Sequence, residues 1–261
     1  MKLYNRLIQL AFILFVTAAI SQSADAQPSA APTPALRPSP STQEIVDTMV
    51  QRNLERAQAL TAFQGTRVYR LEYRGFPGAR TAVMTVDVDY RSPASKEFIV
   101  RSEEGSKLVI DRVFKRMLQS EKEALSADNQ KRIALNDQNY RFALVGNESL
   151  PTGPAFVLTV EPLNDNKLLY RGRIWVDARD FAVVRIEATP AKNPSFWTRE
   201  TKIEQIYTKV GDFWLPSSNR STSTIRLGGH ADFTIDYRDY RLTTAGSEFK
   251  SDSKVAERPP R

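Results

Sequence analysis

The residues whose types could support catalysis are few, and their spacing argues against an enzyme. Cysteine is absent and the chain has a single histidine, His230, which excludes a thiol nucleophile, a cysteine-ligated zinc ion and a histidine-rich metal site. The sequence also lacks the Gly-x-Ser-x-Gly turn that exposes a catalytic serine. Two glycines precede His230, so we predict that it is a hairpin residue pointing to water.

A group of carboxylates is the other arrangement with potential for acid–base chemistry. Asp87 and Asp89 are two residues apart in an alternating segment, so they share one face of a strand, with Glu72 as a potential neighbour. General acid–base catalysis needs carboxylates in a cleft, whereas this face alternates with apolar residues as a solvent-exposed face does. We therefore predict a protein that is not an enzyme and has no cofactor and no metal.

The composition is that of a globular protein, and the N-terminal residues have the pattern of an export signal. The chain has 261 residues, 41% hydrophobic and 26% charged, with a formal net charge of +7, which excludes a collagen-like or fully disordered chain. Lys2 and Arg6 precede an apolar run at 10–20, and Ala24-Asp25-Ala26 has small residues where a signal peptidase reads. These three parts predict a signal peptide that is cleaved after Ala26. The run of about 11 residues is too short to span a bilayer, so we expect a soluble exported protein that does not bind nucleic acid.

Two flanking segments lack the pattern of a folded domain. Residues 27–40 are rich in proline, alanine and serine, and residues 246–261 are polar and charged. Neither segment can bury enough apolar surface to order itself. The predicted organisation is a signal peptide at 1–26, a disordered linker at 27–40, a folded domain at 41–245 and a polar tail at 246–261.

Hydrophobic spacing predicts the first elements of the folded domain. Ser41-Thr42-Gln43-Glu44 fits a capping box, and apolar residues at helical spacing follow it. We therefore predict a helix from Ser41 to about Phe63. Alternating segments around Tyr69, Met84 and Phe98 then predict three antiparallel strands, each with one apolar face.

A helical insertion and a long series of strands follow. Gly105-Ser106 ends the third strand, residues 108–118 carry an apolar helical stripe, and a second helical stretch is expected at 123–133. Alternating segments, with separate ones at 213–216 and 221–227, then continue to Tyr237 without intervening helices, which makes about ten strands in all. The pattern excludes a parallel α/β sheet and predicts a mainly β protein with helices (α+β), built on one large, curved antiparallel sheet.

Three short runs resemble the lipoprotein-carrier superfamily: 172–177 (GRIWVD), 181–186 (FAVVRI) and 211–216 (GDFWLP). This superfamily includes the outer-membrane lipoprotein carrier, lipoprotein-sorting proteins and periplasmic regulators of envelope-stress sigma factors. The resemblance extends roughly over 41–244 and implies an unclosed half-barrel whose helices cover a concave face that binds acyl chains. It also implies an arginine that controls closure of the helical lid, for which Arg70 and Arg74 are candidates by region. The chain is longer and more basic than the classical carrier, and its helical insertion is larger.

The apolar faces of the predicted strands and of the insertion helix supply the candidate ligand contacts. Aromatic rings and methionines suit an adaptable acyl-binding cavity, although ordinary core packing uses the same residue types. The candidates are Tyr69, Leu71, Met84, Val86, Phe98, Val113, Phe114, Met117, Phe156, Leu158 and Trp175.

Four basic residues on and beside the insertion helix are candidates for contact with lipid headgroups or a protein partner: Lys107, Arg112, Lys115 and Arg116. A solvated helix surface is the alternative interpretation. The function predicted from the sequence is a monomeric periplasmic carrier that shields lipoprotein acyl chains or a lipid. The alternative is a periplasmic sensor that regulates an envelope-stress pathway by binding a membrane-anchored protein.

Overall fold

The computed structural model describes residues 39–93, 95–166, 168–192, 198–226 and 228–244. The predicted signal peptide, most of the predicted linker and the predicted tail lie outside these residues. The helices are α1 (Thr42–Ala59), α2 (Lys107–Val109), a π-helical segment (Ile110–Phe114), α3 (Lys115–Ala124) and α4 (Ala127–Ile133). The strands are β1 (Leu60–Gly75), β2 (Arg80–Arg91), β3 (Ser95–Gly105), β4 (Tyr140–Leu150), β5 (Gly153–Pro162), β6 (Tyr170–Asp177), β7 (Val183–Pro190), β8 (Thr198–Val210), β9 (Phe213–Ile225) and β10 (Gly229–Thr244).

Helix α1 begins at the predicted capping box. The amide of Glu44 donates to the Ser41 hydroxyl at 3.3 Å, and the Ser41 amide donates to the Glu44 carboxylate at 2.7 Å, which satisfies two amides at the helix start. The predicted end at Phe63 is wrong, because the helix ends at Ala59 and β1 begins at Leu60. Phe63 instead pairs in register with Tyr90 of β2 and Leu242 of β10, so sheet pairing overrides the helical spacing of this segment.

The ten strands form one antiparallel sheet in the order β3-β2-β1-β10-β9-β8-β7-β6-β5-β4. Pairing of β1 with β10 joins the three N-terminal strands to the long meander. Strands β3 and β4 are the two edges, so the sheet does not close into a barrel. The predicted fold class, a large antiparallel sheet with few helices that stays unclosed, is confirmed.

Strand β9 corrects one sequence prediction. Residues 213–216 and the start of the predicted segment 221–227 belong to a single strand, Phe213–Ile225, while Leu227 lies outside the described residues. Pro216 lies where the register between β8 and β9 shifts, opposite Tyr207. Because proline has no amide to donate, it is tolerated at a bulge, where the ladder is interrupted anyway. The strand therefore continues through a residue that usually ends one.

Two sets of helices cover one face of the sheet. Ile45, Val46 and Met49 of α1 pack on strands β4–β7, in an apolar cluster we call the α1 cluster. Residues 107–124, which we call the cover segment, pack on β1, β2 and β10 in a second cluster, the cover cluster. A third, smaller cluster contains residues of β1, β2 and β9.

The cover segment is longer than the predicted helix at 108–118 and is irregular within. It runs to Ala124 and contains the π-helical segment, whose Ile110, Val113 and Phe114 are all buried. The second predicted helical stretch starts only at Ala127, because the cover segment ends before Leu125 and Ser126. A π-helical turn inside an α-helix is rare and is often found at functional sites.

Candidate functional site

Most of the predicted ligand-contact residues come together where the cover segment packs on the sheet. Eight of the eleven either belong to the cover cluster or pack against it: Tyr69, Leu71, Met84, Val86, Phe98, Val113, Phe114 and Met117. The Phe114 ring lies 5.8 Å from the Tyr69 ring and 6.0 Å from the Phe233 ring, centroid to centroid. In this closed arrangement the residues fill a packed interface between helix and sheet.

The other three candidates lie elsewhere. Phe156 and Leu158 pack in the α1 cluster. Trp175 faces away from the helices, because it alternates along β6 with Ile174 and Val176 of the α1 cluster. It packs instead with Val184 and Val157 on the opposite face and donates to Glu148 at 2.7 Å. Alternation along a strand assigns residues to two opposite faces. Because both faces of β6 carry apolar residues, the sequence did not show which face the helices cover.

A buried ion cluster fastens the cover segment to the sheet. Arg67 of β1 makes two hydrogen bonds to the carboxylate of Glu121 on α3, at 2.7 and 3.1 Å, and Lys96 of β3 donates to the same carboxylate. All three residues are at least 96% buried. The Arg67 guanidinium also lies 5.1 Å from the centre of the Tyr237 ring, a favourable position for a cation.

The charges of this ion cluster do not balance, because two cations share one carboxylate. Burial would raise the pKa of Glu121, but the charges of Arg67 and Lys96 outweigh it and hold that pKa below its ordinary value. Burial lowers the pKa of Lys96 to about 8, and the positive charge of Arg67 contributes to the lowering. Of the two cations, Lys96 is therefore the one that loses its proton more readily.

Neither arginine proposed for lid control contacts the cover. Arg70 pairs with Asp236 and Arg74 with Glu72, outside the helix-covered face. Arg67 is the arginine that reaches the cover segment. It shares its face of β1 with Tyr69 and Leu71. A single cation on an otherwise apolar strand face is the sequence pattern that could have identified Arg67 as a functional residue. The same signal applies to Lys96, two residues from Phe98.

The basic residues of the cover segment lie on its outer surface. Lys115 pairs with Asp111 and Glu103, each at 2.9 Å. Lys107 and Arg116 are exposed, and Arg112 is half-buried. The structure thus places these four residues at the surface of the cover, apart from the packed cluster.

The residues considered for catalysis are not brought together. His230 is exposed at the start of β10 and lies between Thr224 and Arg74 in register. It is a strand residue and not part of the connection itself. Asp87 pairs with Arg101, whereas Glu72 lies six residues along β1 from Thr66, the register partner of Asp87. Within the described residues, no group of three or more histidine, aspartate or glutamate side chains could hold a metal ion.

A groove of about 900 Å³ lies on the sheet across β5–β9, and sequence reasoning missed it. Its charged lining alternates with residues of the α1 cluster, so it faces away from the helices. Ion pairs cross the strands here, such as Arg171 with Glu161 and Arg173 with Glu187. The charged lining residues are Glu161, Arg171, Arg173, Glu187, Lys202, Glu204 and Arg220. The groove is thus a charged surface of mixed sign.

No protein-family model and no curated protein sequence matches the chain. Among solved structures, it is similar to a domain described as an outer membrane lipoprotein-sorting protein from Vibrio parahaemolyticus, with 14% identity over 80% of this chain and 94% of that one and a TM-score of 0.42. A LolA superfamily protein from Nitrosomonas europaea matches with 13% identity over 78% and 94%, at a TM-score of 0.35. MucB matches with 11% identity over 76% and 93%, at 0.27. Two of these structures, the lipoprotein-sorting domain and the LolA superfamily protein, are described by names that belong to the superfamily that the sequence resembles.

Within the described residues, no helix is both long enough and apolar enough to cross a membrane.

Proposed function

We propose that the protein is a periplasmic carrier that shields the acyl part of a lipid or lipoprotein between the sheet and the cover segment. One observation carries the proposal: the cover segment contributes to only one of the four buried clusters and is fastened by a buried ion cluster. The cover can therefore move while the rest of the core stays packed.

The separation of the clusters supports a movable cover. The α1 cluster holds strands β4–β7 without any residue of 107–124. Lifting the cover segment exposes the apolar face of β1, β2 and β10, including Met84 and Tyr69, and the facing side of the helix, including Met117. Thioethers adapt to chains of varied shape, and each buried methylene of an acyl chain contributes about 0.8 kcal/mol. Affinity then arises from burial, without chemistry.

The ion cluster supports a closed state that is stable but reversible. Arg67 and Lys96 belong to the sheet and Glu121 to the cover, so opening separates charges that are paired when closed. If the cover opens fully, water solvates the separated charges. If it opens only partly, the charges are separated but still buried, which is destabilising. The cover therefore opens fully or remains closed, and on opening the acyl ligand packs against the apolar face that the cover had buried.

Two experiments test this function. Mass spectrometry of protein purified without detergent should detect a copurified lipid. Because the chain has no cysteine, spin labels can also be placed at two introduced thiols, Arg116→Cys on the cover and Glu200→Cys on β8. Addition of a C16 acyl ligand should change the distance between them. A control pair within the sheet, Thr81→Cys with Glu200→Cys, should keep its distance. Absence of copurified lipid together with an unchanged cover distance would contradict the carrier function.

The edge strand β3 favours a second candidate, an interaction module that binds a membrane-anchored protein. Ile99 and Val100 are exposed on this edge, at 53% and 39%, and an unpaired edge can accept a strand from a partner. The basic residues Lys107 and Arg116 lie exposed on the neighbouring cover. If purified protein carries no lipid, and if Ile99→Lys abolishes capture of a partner protein, this second function replaces the first.

A further inference from the structure

On the helix-covered face of the sheet, eight cross-strand neighbours from β5 to β2 form a row that is apolar except at its centre. Starting in the α1 cluster, Leu158 pairs with Ile174, which pairs with Ile186. From the other side, Met84 pairs with Tyr69, which pairs with Ile235 of the cover cluster. Gln205 of β8 and Asn219 of β9 join the two halves, in register with Ile186 and Ile235. The midpoint of an apolar row is thus a pair of side-chain amides.

Only one hydrogen bond joins these two side-chain amides, and it leaves one polar atom of each without a partner. The Asn219 amide nitrogen donates to the Gln205 carbonyl at 2.6 Å. The Gln205 nitrogen and the Asn219 oxygen are both buried and have no hydrogen-bond partner among the described residues. Asn219 as a residue is 95% buried. Exchanging oxygen and nitrogen in both side chains leaves the same result, one free donor and one free acceptor.

Such an arrangement destabilises the folded protein. A buried polar atom without a partner loses its hydrogen bonds to water and gains none in return. Two leucines at these positions would continue the apolar row on both sides and avoid that loss. The amide pair is therefore better explained by a group that it binds than by packing.

We propose that the amide pair binds the neutral linking group of the acyl ligand, a group that both donates and accepts a hydrogen bond, as an amide does and an ester does not. This inference rests on the proposed carrier function, because the ligand's chain would occupy the apolar row beside the pair. None of these eight side chains is charged, and the cation that contacts the row, Arg67 at the Tyr69 hydroxyl, is already paired with Glu121. An anionic headgroup would therefore be buried at the amide pair without a counter-charge of its own. A carbonyl of the ligand accepts from Gln205, and its N–H donates to Asn219.

Matched C16 probes test the inference, measured by displacement of the apolar fluorophore N-phenyl-1-naphthylamine from the purified protein. Palmitamide donates and accepts, whereas methyl palmitate only accepts. Methyl palmitate leaves the Asn219 oxygen unpaired, so it should bind about tenfold more weakly than palmitamide. Sodium palmitate, which is anionic at pH 8, should also bind more weakly than palmitamide.

Variants separate this inference from the carrier function itself. The double variant Gln205→Leu with Asn219→Leu should stay folded, bind both neutral probes and lose the preference for palmitamide. Ser221→Ala, two residues from Asn219 on the same face of β9, is the control and should keep the preference. Equal binding of both neutral probes by the unmodified protein would overturn the inference and leave the carrier function standing. If none of the probes displaces the fluorophore, both fail.

Discussion

Replacing Glu121 by glutamine should release the cover segment, because it removes the only carboxylate of the buried ion cluster while keeping the shape of the side chain. Arg67 and Lys96, which are 2% and 4% exposed, would then both lose the carboxylate that they share. Breaking a buried ion pair by removing one partner costs about 3–5 kcal/mol. We expect the free energy of unfolding to fall by about that amount, or by less if the cover opens and the two cations reach water.

The measurement is chemical denaturation followed by circular dichroism, together with the spin-label distance between the cover and β8. The control is Glu103→Gln, which removes an exposed partner of Lys115 and should change stability by about 1 kcal/mol at most. If Glu121→Gln leaves both the stability and the cover distance like those of the control, the ion cluster does not hold the cover and the reasoning fails. Replacing all three members of the ion cluster by apolar residues is avoided as a first test, because such a replacement of a whole buried cluster is often neutral.

Four further predictions can be tested separately. Phe114→Asp should abolish binding of the C16 probes yet destabilise the protein less than Leu158→Asp in the α1 cluster, because the cover can open to solvate the new charge. If chemical denaturation shows that the two variants lose the same free energy of unfolding, the cover is not movable. Stability should rise with pH between about 8 and 10.5, because the pKa of Lys96 is lowered in the folded protein and the unfolded chain then binds more protons, and Lys96→Met should flatten this rise. The stability of the protein should also fall as the pH drops below 4.5 and Glu121, whose pKa is lowered in the folded protein, becomes protonated. Glu121→Gln should reduce this fall. N-terminal sequencing of exported protein should begin at Gln27, and an intact Met1 in membrane fractions would refute cleavage. His230→Ala should complement a deletion strain fully at normal protein abundance, whereas failure would point to an enzyme.

Local chemistry explains why parts of the fold were predictable. The capping box at Ser41 and Glu44 involves residues three positions apart, and the alternation along β1 and β2 follows from strand geometry. The apolar stripe of the insertion helix likewise identified Val113, Phe114 and Met117 as buried. The packing of five strand candidates against three helix candidates agrees with these patterns, because a sheet and a helix bury their apolar faces against each other.

The sequence by itself determined the fold class, an antiparallel sheet of many strands with an amphipathic helix to cover it. It also excluded chemistry that needs a thiol or two histidines. Only the tertiary structure decided which residues meet. Arg67 and Glu121 are 54 positions apart and Gln205 and Asn219 are 14 apart, and their contacts depend on strand register and on where the cover segment lies. The face occupied by Trp175 was undecided for the same reason. Spacing along a chain fixes the direction of a side chain relative to its own strand, whereas burial and pairing depend on the elements that pack against that strand.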